Sequence, residues 1–475
     1  VILGYRVAQV RAAEERAFAD VGADTLMQRA AAGLATAVMR RLPLWTRTGA
    51  VYGARVLLVL GSGNNGGDAL YAGVRLARRG VSVSAWRVGS TVHENGWAAF
   101  LAAGGREVDR VESQDQLSRL DAVIDGVAGI GSRPGLSSEV AGFADRCVAL
   151  GVPVVAVDLP SGLAPEPPFV DAPHFRAALT VTFGGHKLCQ LMEPAKTACG
   201  EVQLVDIGLR FDQPALRQWT ASDLVEHWPV PDACSDKYSR GVVGLNTGST
   251  DYPGAAVLGA AGATHAGAGM VRYLGPADVA RAVVAHLPNV VSAPGRVQAL
   301  VLGSGWGNRG PAAAVAEAVA SGMPLVIDAD ALRHLPERGR LDVLLTPHAG
   351  ELAYLLGEDR DAVTADPMTA VRHAADRTGC TVLVKGASQY LATPDDAVVE
   401  CALPGPAWTA QAGSGDVLAG IAGAVLAAGR DARIAGVAAA SMQACAASST
   451  PGPVTPQELA AVLPQAIDAL LREQP

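Results

Sequence analysis

Short apolar runs that stop at a glycine or a carboxylate recur along this chain. Residues 7–40 mix Ala, Glu, Arg and Met in a long run that predicts helix. The apolar run at 56–60 predicts a strand and stops at the segment GSGNNGGD, residues 61–68. Helical sequence follows to Arg79, and 81–88 predicts the next strand. Two more apolar runs, 122–125 and 152–158, each close in Asp before glycines or Pro-Ser-Gly, and 179–183 and 201–205 supply two further strands. Strand, polar loop, helix, strand predicts an α/β fold with a parallel sheet and sites at the carboxyl ends of its strands.

A loosely patterned stretch, 211–241, interrupts this alternation with Pro214, Pro229 and Pro231. The pattern then resumes, with strands predicted at 242–245, 299–302, 325–327, 343–345, 381–384 and 390–392. Helices are predicted at 254–268, 311–320, 350–356, 416–427 and 435–447. A chain of 475 residues exceeds what one core usually supports, so two domains are expected, 1–220 and 221–475. The halves share no motif, which argues against duplication.

Composition narrows the possibilities. At 49% hydrophobic and 18% charged the chain can bury a core, and a net charge of -8 argues against nucleic-acid binding. The apolar segments near 254–270 and 417–428 are rich in Ala and Gly and are expected as buried helices, not membrane spans. Seven cysteines without a paired spacing point to free thiols and a cytoplasmic protein. Arg6, Arg11, Glu14 and Glu15 interrupt any leader-like apolar run.

The first-half chemistry gathers at strand ends. Glycines in the 61–68 loop let backbone N–H groups approach an anion where a helix begins, although a tight turn with left-handed Asn would read the same. The loop is neither the dinucleotide fingerprint nor a Walker loop. Asp125 and Asp158 with Asn65 and Ser161 suit a hard cation, without choosing among K⁺, Na⁺ and Mg²⁺. One carboxylate could instead cap a turn or act as a general base.

These pieces, in order, resemble the NAD(P)H-hydrate epimerase domain of the YjeF N-terminal type. The resemblance covers residues 1–210 through MQRA at 27–30 with Gly33, the 61–68 loop, 124–131, 157–162 and TFGGHK at 182–187. It implies a Rossmann-like three-layer domain that epimerises hydrated NADH or NADPH at C6. It implies K⁺ held by Asn65, Asp125 and Ser161. It further implies nucleotide contacts from Asn64, Asn65, Gly66, Gly67, Asp68, Gly129, Ile130, Gly131, Ser132, Arg133, Pro134, Gly135 and Asp158. Asp158 would move the proton, and Lys187 would steady developing charge or pair with a phosphate. Gly126 departs from the small non-glycine residue that many relatives carry there.

In the second half, TAQAGSGDVLAG at 409–420 places glycines around Ser414, then Asp416, then an apolar helix. Such a segment predicts an anion hole beside a carboxylate, where a plain helix cap would need no glycine cluster. Asp328 and Asp330, TPHAGE at 346–351, VKGA at 384–387 and GSGWG at 303–307 each follow a strand and converge on one crevice. His348 and Glu351 are each read either as site residues or as helix caps. The set resembles the ADP/ATP-dependent NAD(P)H-hydrate dehydratase domain of the ribokinase-like superfamily, over residues 236–450. The resemblance implies contacts from Ala256, Gly305, His348 and Asp416 to the hydrated nucleotide. Lys385, Gly386, Ala387, Ser388, Gln389 and Gly415 would hold the adenine nucleotide, Asp416 would be the base, and Mg²⁺ and ADP would be the implied cofactor and co-substrate.

Departures are Ala410-Gln411-Ala412 where relatives carry a Thr-Gly-Gly type run, and Gln443 where relatives often carry His. A small-molecule kinase and a non-catalytic nucleotide-binding protein are the competing readings. The expected partners are hydrated NADH or NADPH and an adenine nucleotide, with neither nucleic acid nor membrane. A homo-oligomer is expected.

Overall fold

The structure, a computed structural model, describes residues 1–109, 114–307, 310–337 and 339–472. The chain divides into two units, Leu3–Pro214 and Ala215–Pro475, the latter joined by Val1–Ile2.

The first unit is built on a seven-stranded parallel sheet. Its order is Arg106–Val108, Ser82–Arg87, Arg55–Leu60, Ala122–Gly126, Val154–Val157, Leu179–Phe183, Glu201–Val205. Its central strands read as unbroken apolar runs because both faces are covered. Along Arg55–Leu60, Val56, Leu58 and Leu60 join one core with Leu34, Leu70 and Phe100, while Leu57 and Val59 join the other with Phe143 and Phe175. Ile2–Tyr5 and His186–Lys187 form a further parallel pair, with Gly4 opposite His186 and Tyr5 opposite Lys187. Strand order reverses between Arg55–Leu60 and Ala122–Gly126, so the 61–68 loop and the turn after Gly126 open on the same crevice.

The helical run expected over 7–40 is two helices, Val7–Val21 and Ala23–Trp45, parted at Gly22 with φ +78°. That backbone region is costly for any residue with a Cβ, so the glycine marks the break.

In the second unit the strands run Met270–Tyr273, Val242–Asn246, Ala299–Leu302, Leu325–Ile327, Val343–Leu345, Thr381–Val384, Tyr390–Thr393, Asp396–Cys401, Leu216–Gln218. The first six are parallel, and the hairpin Tyr390–Thr393 with Asp396–Cys401 turns antiparallel. This is a ribokinase-like α/β sheet. The loosely patterned stretch 211–241 contains the strand Leu216–Gln218 and the helix Ala221–His227. The strand pairs with Asp396–Cys401, so the chain has joined the second sheet before residue 220.

Two Ala/Gly helices, Pro253–His265 and Ser414–Ala427, cross at backbone contact. A Cβ on Gly420 would collide with the carbonyl of Gly259, and one on Gly262 with the carbonyl of Val417. Small residues on both faces permit that approach, which is why neither helix shows an amphipathic pattern. Among the described residues no helix is long and apolar enough to cross a membrane.

Two candidate active sites

In the first unit a cavity of about 530 Å³ lies at the strand-order reversal. Asn64, Asn65 and Asp68 reach it from the helix Asn64–Ala77, Gly129, Ile130, Gly131 and Ser132 from the turn after the fourth strand, and Asp158 from the end of Val154–Val157. Arg133, Pro134 and Gly135 do not line it. Gly66 and Gly67 lie behind the loop: a Cβ on Gly66 would stand 2.5 Å from the carbonyl of Gly61.

Asp158 has φ +68°, a region that costs a residue with a side chain and persists only where neighbours impose it. Here they do. Its Oδ1 accepts from Lys187 Nζ, from Thr182 Oγ1 at 3.1 Å and from the Phe183 N–H at 3.3 Å, and its carbonyl accepts from Gln190 Nε2 at 2.7 Å. Lys187 is 1% exposed, so this is a buried ion pair, fixed further by Thr182 Oγ1 and the Phe183 carbonyl.

Asp125, Asn65 and Ser161 meet around the 126–129 turn. Ser161 donates to Asp125 through its N–H at 2.7 Å and its hydroxyl at 2.6 Å, and the same hydroxyl accepts from Ala128 N at 2.8 Å. Asn65 Nδ2 donates to the carbonyls of Ala128, at 3.2 Å, and Val157, at 2.6 Å. Burial pushes the Asp125 carboxyl up to about 6 against these hydrogen bonds, and among the described residues no cationic side chain offsets the cost. Carboxylate, hydroxyl, amide and carbonyl oxygens around an uncompensated buried acid are a donor set that fits a hard monovalent cation. Among the described residues no group of three or more His, Cys, Asp or Glu forms a metal cluster, so any ion here would combine the one carboxylate of Asp125 with neutral oxygens.

Two charged cavity residues come from the first helix rather than from a strand end. Arg11 and Glu14 enter from the helix Val7–Val21. The Glu14 carboxyl is raised by burial and then by the charge of Asp158. Nothing in the sequence beyond a charged residue in a helical run could have singled it out.

In the second unit Asp416 stands in the first turn of the buried helix Ser414–Ala427, behind Gly413 with φ +96°. The helix start aims free N–H groups at the crevice. Asp328, 2% exposed, accepts from Lys385 Nζ at 2.7 Å, Thr346 Oγ1 at 2.8 Å and Ser304 Oγ at 2.8 Å, which ties four strand ends together. Burial would lower the Lys385 ammonium, but Asp328 and Glu351 outweigh it and raise it. Burial and the charge of Asp328 push Asp416 up to about 7, with Lys385 pulling the other way. Asp330 has a separate task, accepting from Gly307 N at 2.7 Å.

His348 is the N-cap of the helix Ala349–Leu356: its Nδ1 accepts from Gly350 N and Glu351 N, and Glu351 returns the bond to His348 N at 2.8 Å. The capping alternative thus holds for both residues, and the exposed ring keeps Nε2 at the surface. Ala256 is fully buried, with Gly248 packed over its methyl group. Gly305, φ +69°, lines a second cavity of about 1090 Å³ at the reversal between Val242–Asn246 and Ala299–Leu302. His348, Lys385 and Asp416 do not line that cavity. Gly386, Ala387, Ser388 and Gln389 form the loop between Thr381–Val384 and Tyr390–Thr393, with Gly386 and Ala387 exposed. Gln443, 4% exposed, donates to the Ser414 carbonyl at 2.7 Å and so steadies the start of the Asp416 helix. Gln411 spans the loop ahead of that helix, donating to the carbonyls of Trp408, at 3.0 Å, and Val454. All seven cysteines are free thiols.

A Rossmann-like unit with a strand-end cavity, followed by a ribokinase-like unit with a glycine-framed carboxylate, defines a two-domain nucleotide-handling enzyme. Residues 23–189 match the family model of the YjeF-related protein N-terminus, and residues 243–467 that of NAD(P)H-hydrate dehydratase. The bifunctional NAD(P)H-hydrate repair enzyme Nnr of Mycobacterium leprae is 44% identical over 439 residues, covering 90% of this chain and 89% of that one. The enzyme of the same name from Corynebacterium glutamicum is 35% identical over 456 residues, covering 78% of each chain. Among solved structures, the ADP/ATP-dependent NAD(P)H-hydrate dehydratase of Bacillus subtilis, co-crystallised with ATP/Mg²⁺, is 25% identical. It covers 54% of this chain and 98% of its own, with a TM-score of 0.49. The chain belongs to the family of bifunctional NAD(P)H-hydrate repair enzymes.

Proposed function

We propose that the first unit interconverts the R and S forms of hydrated NADH and NADPH at C6, and that the second dehydrates the S form with ADP, yielding NAD(P)H, AMP and phosphate. The first activity is assigned to the domain expected at 1–220 and the second to 221–475. The observation that carries this reading is Asp416, a carboxyl raised to about 7 in the first turn of a buried helix, beside an anion-ready glycine turn. A base poised near neutrality matches proton removal from an alcohol.

In the dehydratase, Asp416 takes the proton of the C6 hydroxyl, whose oxygen attacks the terminal phosphoryl group. The N–H groups at Gly415 and its neighbours steady the phosphoryl oxygens, and the Lys385 ammonium adds positive charge beside Gly415. Phosphate then leaves C6 with its bonding pair, pushed by the ring nitrogen, and loss of a C5 proton closes the double bond. Asp328 already accepts from three side chains, so Mg²⁺ would be bound chiefly by the nucleotide phosphates whose charge it neutralises.

In the epimerase, Asp158 handles the hydroxyl proton while Lys187 balances its charge. K⁺ would be held by Asn65, Asp125 and Ser161 and would supply the positive charge that the Asp125 carboxylate lacks. This chain's own contribution there is to fix the 126–129 turn over the cavity.

The test supplies mixed epimers of hydrated NADH with Mg²⁺ and either ADP or ATP, and follows NADH recovery and phosphate release. One phosphate per NADH is expected. A stable phosphorylated product without NADH would make the second unit a small-molecule kinase.

A further inference from the structure

Epimerisation at C6 by ring opening makes two proton transfers, one from the hydroxyl and one to the ring nitrogen, which two separate carriers can serve at once. Asp158 accounts for one of them. The hydrogen bonds to its carboxylate fall on Oδ1, from Lys187, Thr182 and the Phe183 N–H. The cavity holds a second carboxyl in a different condition. Asp68, 7% exposed, reaches the cavity from the helix Asn64–Ala77, and its Oδ1 has no hydrogen-bond partner. A buried, unpaired carboxylate oxygen is costly, whereas a carboxylic acid facing a substrate is a ready donor.

We propose that Asp68 is the proton donor of the epimerase cavity and that Glu14 keeps it loaded. The inference rests on the epimerase reading above. Asp68 is lifted well above the usual carboxylate range by burial, then by the charges of Asp158 and Glu14, with Lys187 opposing. The charged groups around the cavity are Arg11 and Glu14 from the helix Val7–Val21, Asp24 from the helix Ala23–Trp45, Asp158 and Lys187, with the His93 imidazole also on the wall. His93 Nδ1 accepts from Gly96 N at 3.0 Å.

The step balances without any redox partner. Asp158 takes the hydroxyl proton and the C6–O bond becomes a carbonyl. The C6–N1 bond breaks with its electron pair going to N1, which takes the Asp68 proton. The aldehyde turns about the C5–C6 bond and N1 adds to its other face. The N1 proton returns to Asp68 and the oxygen regains its proton from Asp158. Asp68 is the catalytic residue, while Glu14 is a positioning residue that acts through it by charge.

The experiment measures R-to-S conversion of hydrated NADH by the full chain, resolving kcat from KM across pH. Resistance of the first unit, Leu3–Pro214, to limited proteolysis reports that each variant is folded, and ADP-dependent dehydration of the S form calibrates the amount of enzyme. Asp68→Asn is expected to lower kcat by about 100-fold or more with KM within about threefold. Glu14→Gln removes a like charge, so the pH at which kcat/KM falls on the alkaline side should move down. An acid is active while protonated, and a smaller nearby negative charge lets it lose its proton earlier. Wild-type kcat in Asp68→Asn, or a loss confined to KM, would overturn the proposal. Should Asp68→Asn fail to fold, an unmoved alkaline limb in Glu14→Gln, a half-buried position, overturns it independently. A wild-type chain that dehydrates but does not epimerise would instead remove the reading beneath it.

Discussion

A methyl group on Gly415 would stand 3.2 Å from Lys385 Nζ, so the lysine lies against the first turn of the Asp416 helix. The same Nζ is held by Asp328 at 2.7 Å and has little freedom to retreat. Gly415→Ala should therefore displace the ammonium and crowd the phosphoryl site. ADP-dependent dehydration should fall about tenfold or more, a loss of about 1.4 kcal/mol in transition-state stabilisation. The melting temperature should change little. Steady-state kinetics with the S form, beside a thermal melt, checks both.

Asp416→Asn should remove nucleotide-dependent dehydration while leaving epimerisation near wild type. The pKa of about 7 adds a sign. The folded chain holds this proton more tightly than the unfolded chain, so the group's contribution to stability declines as pH rises from about 4 to about 7. Asparagine carries no charge to bury. Its melting temperature relative to wild type should be higher at pH 8 than at pH 4. In wild type, kcat/KM for dehydration should climb with pH through about 7, since the base must be unprotonated. Full NADH recovery by the variant would exclude Asp416 as the base.

Asn65→Ala and Asp125→Asn should weaken the dependence of epimerisation on K⁺, raising the concentration for half-activation about tenfold. Dehydration of the S form should stay within twofold. Titrating KCl at constant ionic strength, with epimer ratios read by chromatography, makes the comparison. Normal epimerisation by both variants at limiting K⁺ would place the ion elsewhere.

A boundary at residue 220 would cut through the second sheet. Leu216 is fully buried, Trp219 Nε1 donates to Glu400 at 3.0 Å, and Arg217 reaches Glu400 and Asp396. Residues 215–475 should fold and dehydrate the S form alone. A fragment beginning at 222 would leave the buried Glu400 with Arg433 as its remaining ion-pair partner among the described residues. It should be less stable by about 3–5 kcal/mol. Urea melts of the two fragments decide this, and equal midpoints would refute it.

That boundary shows where sequence reading ends. The strands Leu179–Phe183, Glu201–Val205, Ala299–Leu302, Leu325–Ile327, Val343–Leu345 and Thr381–Val384 were legible to the residue. Most are β-branched apolar runs that two covered faces require. Leu216–Gln218 and Asp396–Cys401 carry Arg217, Asp396 and Glu400, whose ion pairs span some 180 residues and leave no local periodicity. The glycine loops and the carboxylates at strand ends were legible because a parallel sheet opens at that edge. Glu14 was not, since it enters the cavity from a helix far earlier in the chain. Gln443 stood out only as a departure. Its bond to the Ser414 carbonyl needed the fold to be seen.

The crossing of Pro253–His265 with Ser414–Ala427 sets the terms for redesign. A Cβ would strike backbone at Gly262 and Gly420, so libraries that vary these two positions would return mostly misfolded clones. The Asp416 carboxyl is thereby mounted on the least adjustable part of the unit. Diversity aimed at a new phosphoryl donor belongs instead in the loop 386–389, above all at the exposed Ala387, since a Cβ on Gly386 would stand 3.2 Å from the Ser388 carbonyl.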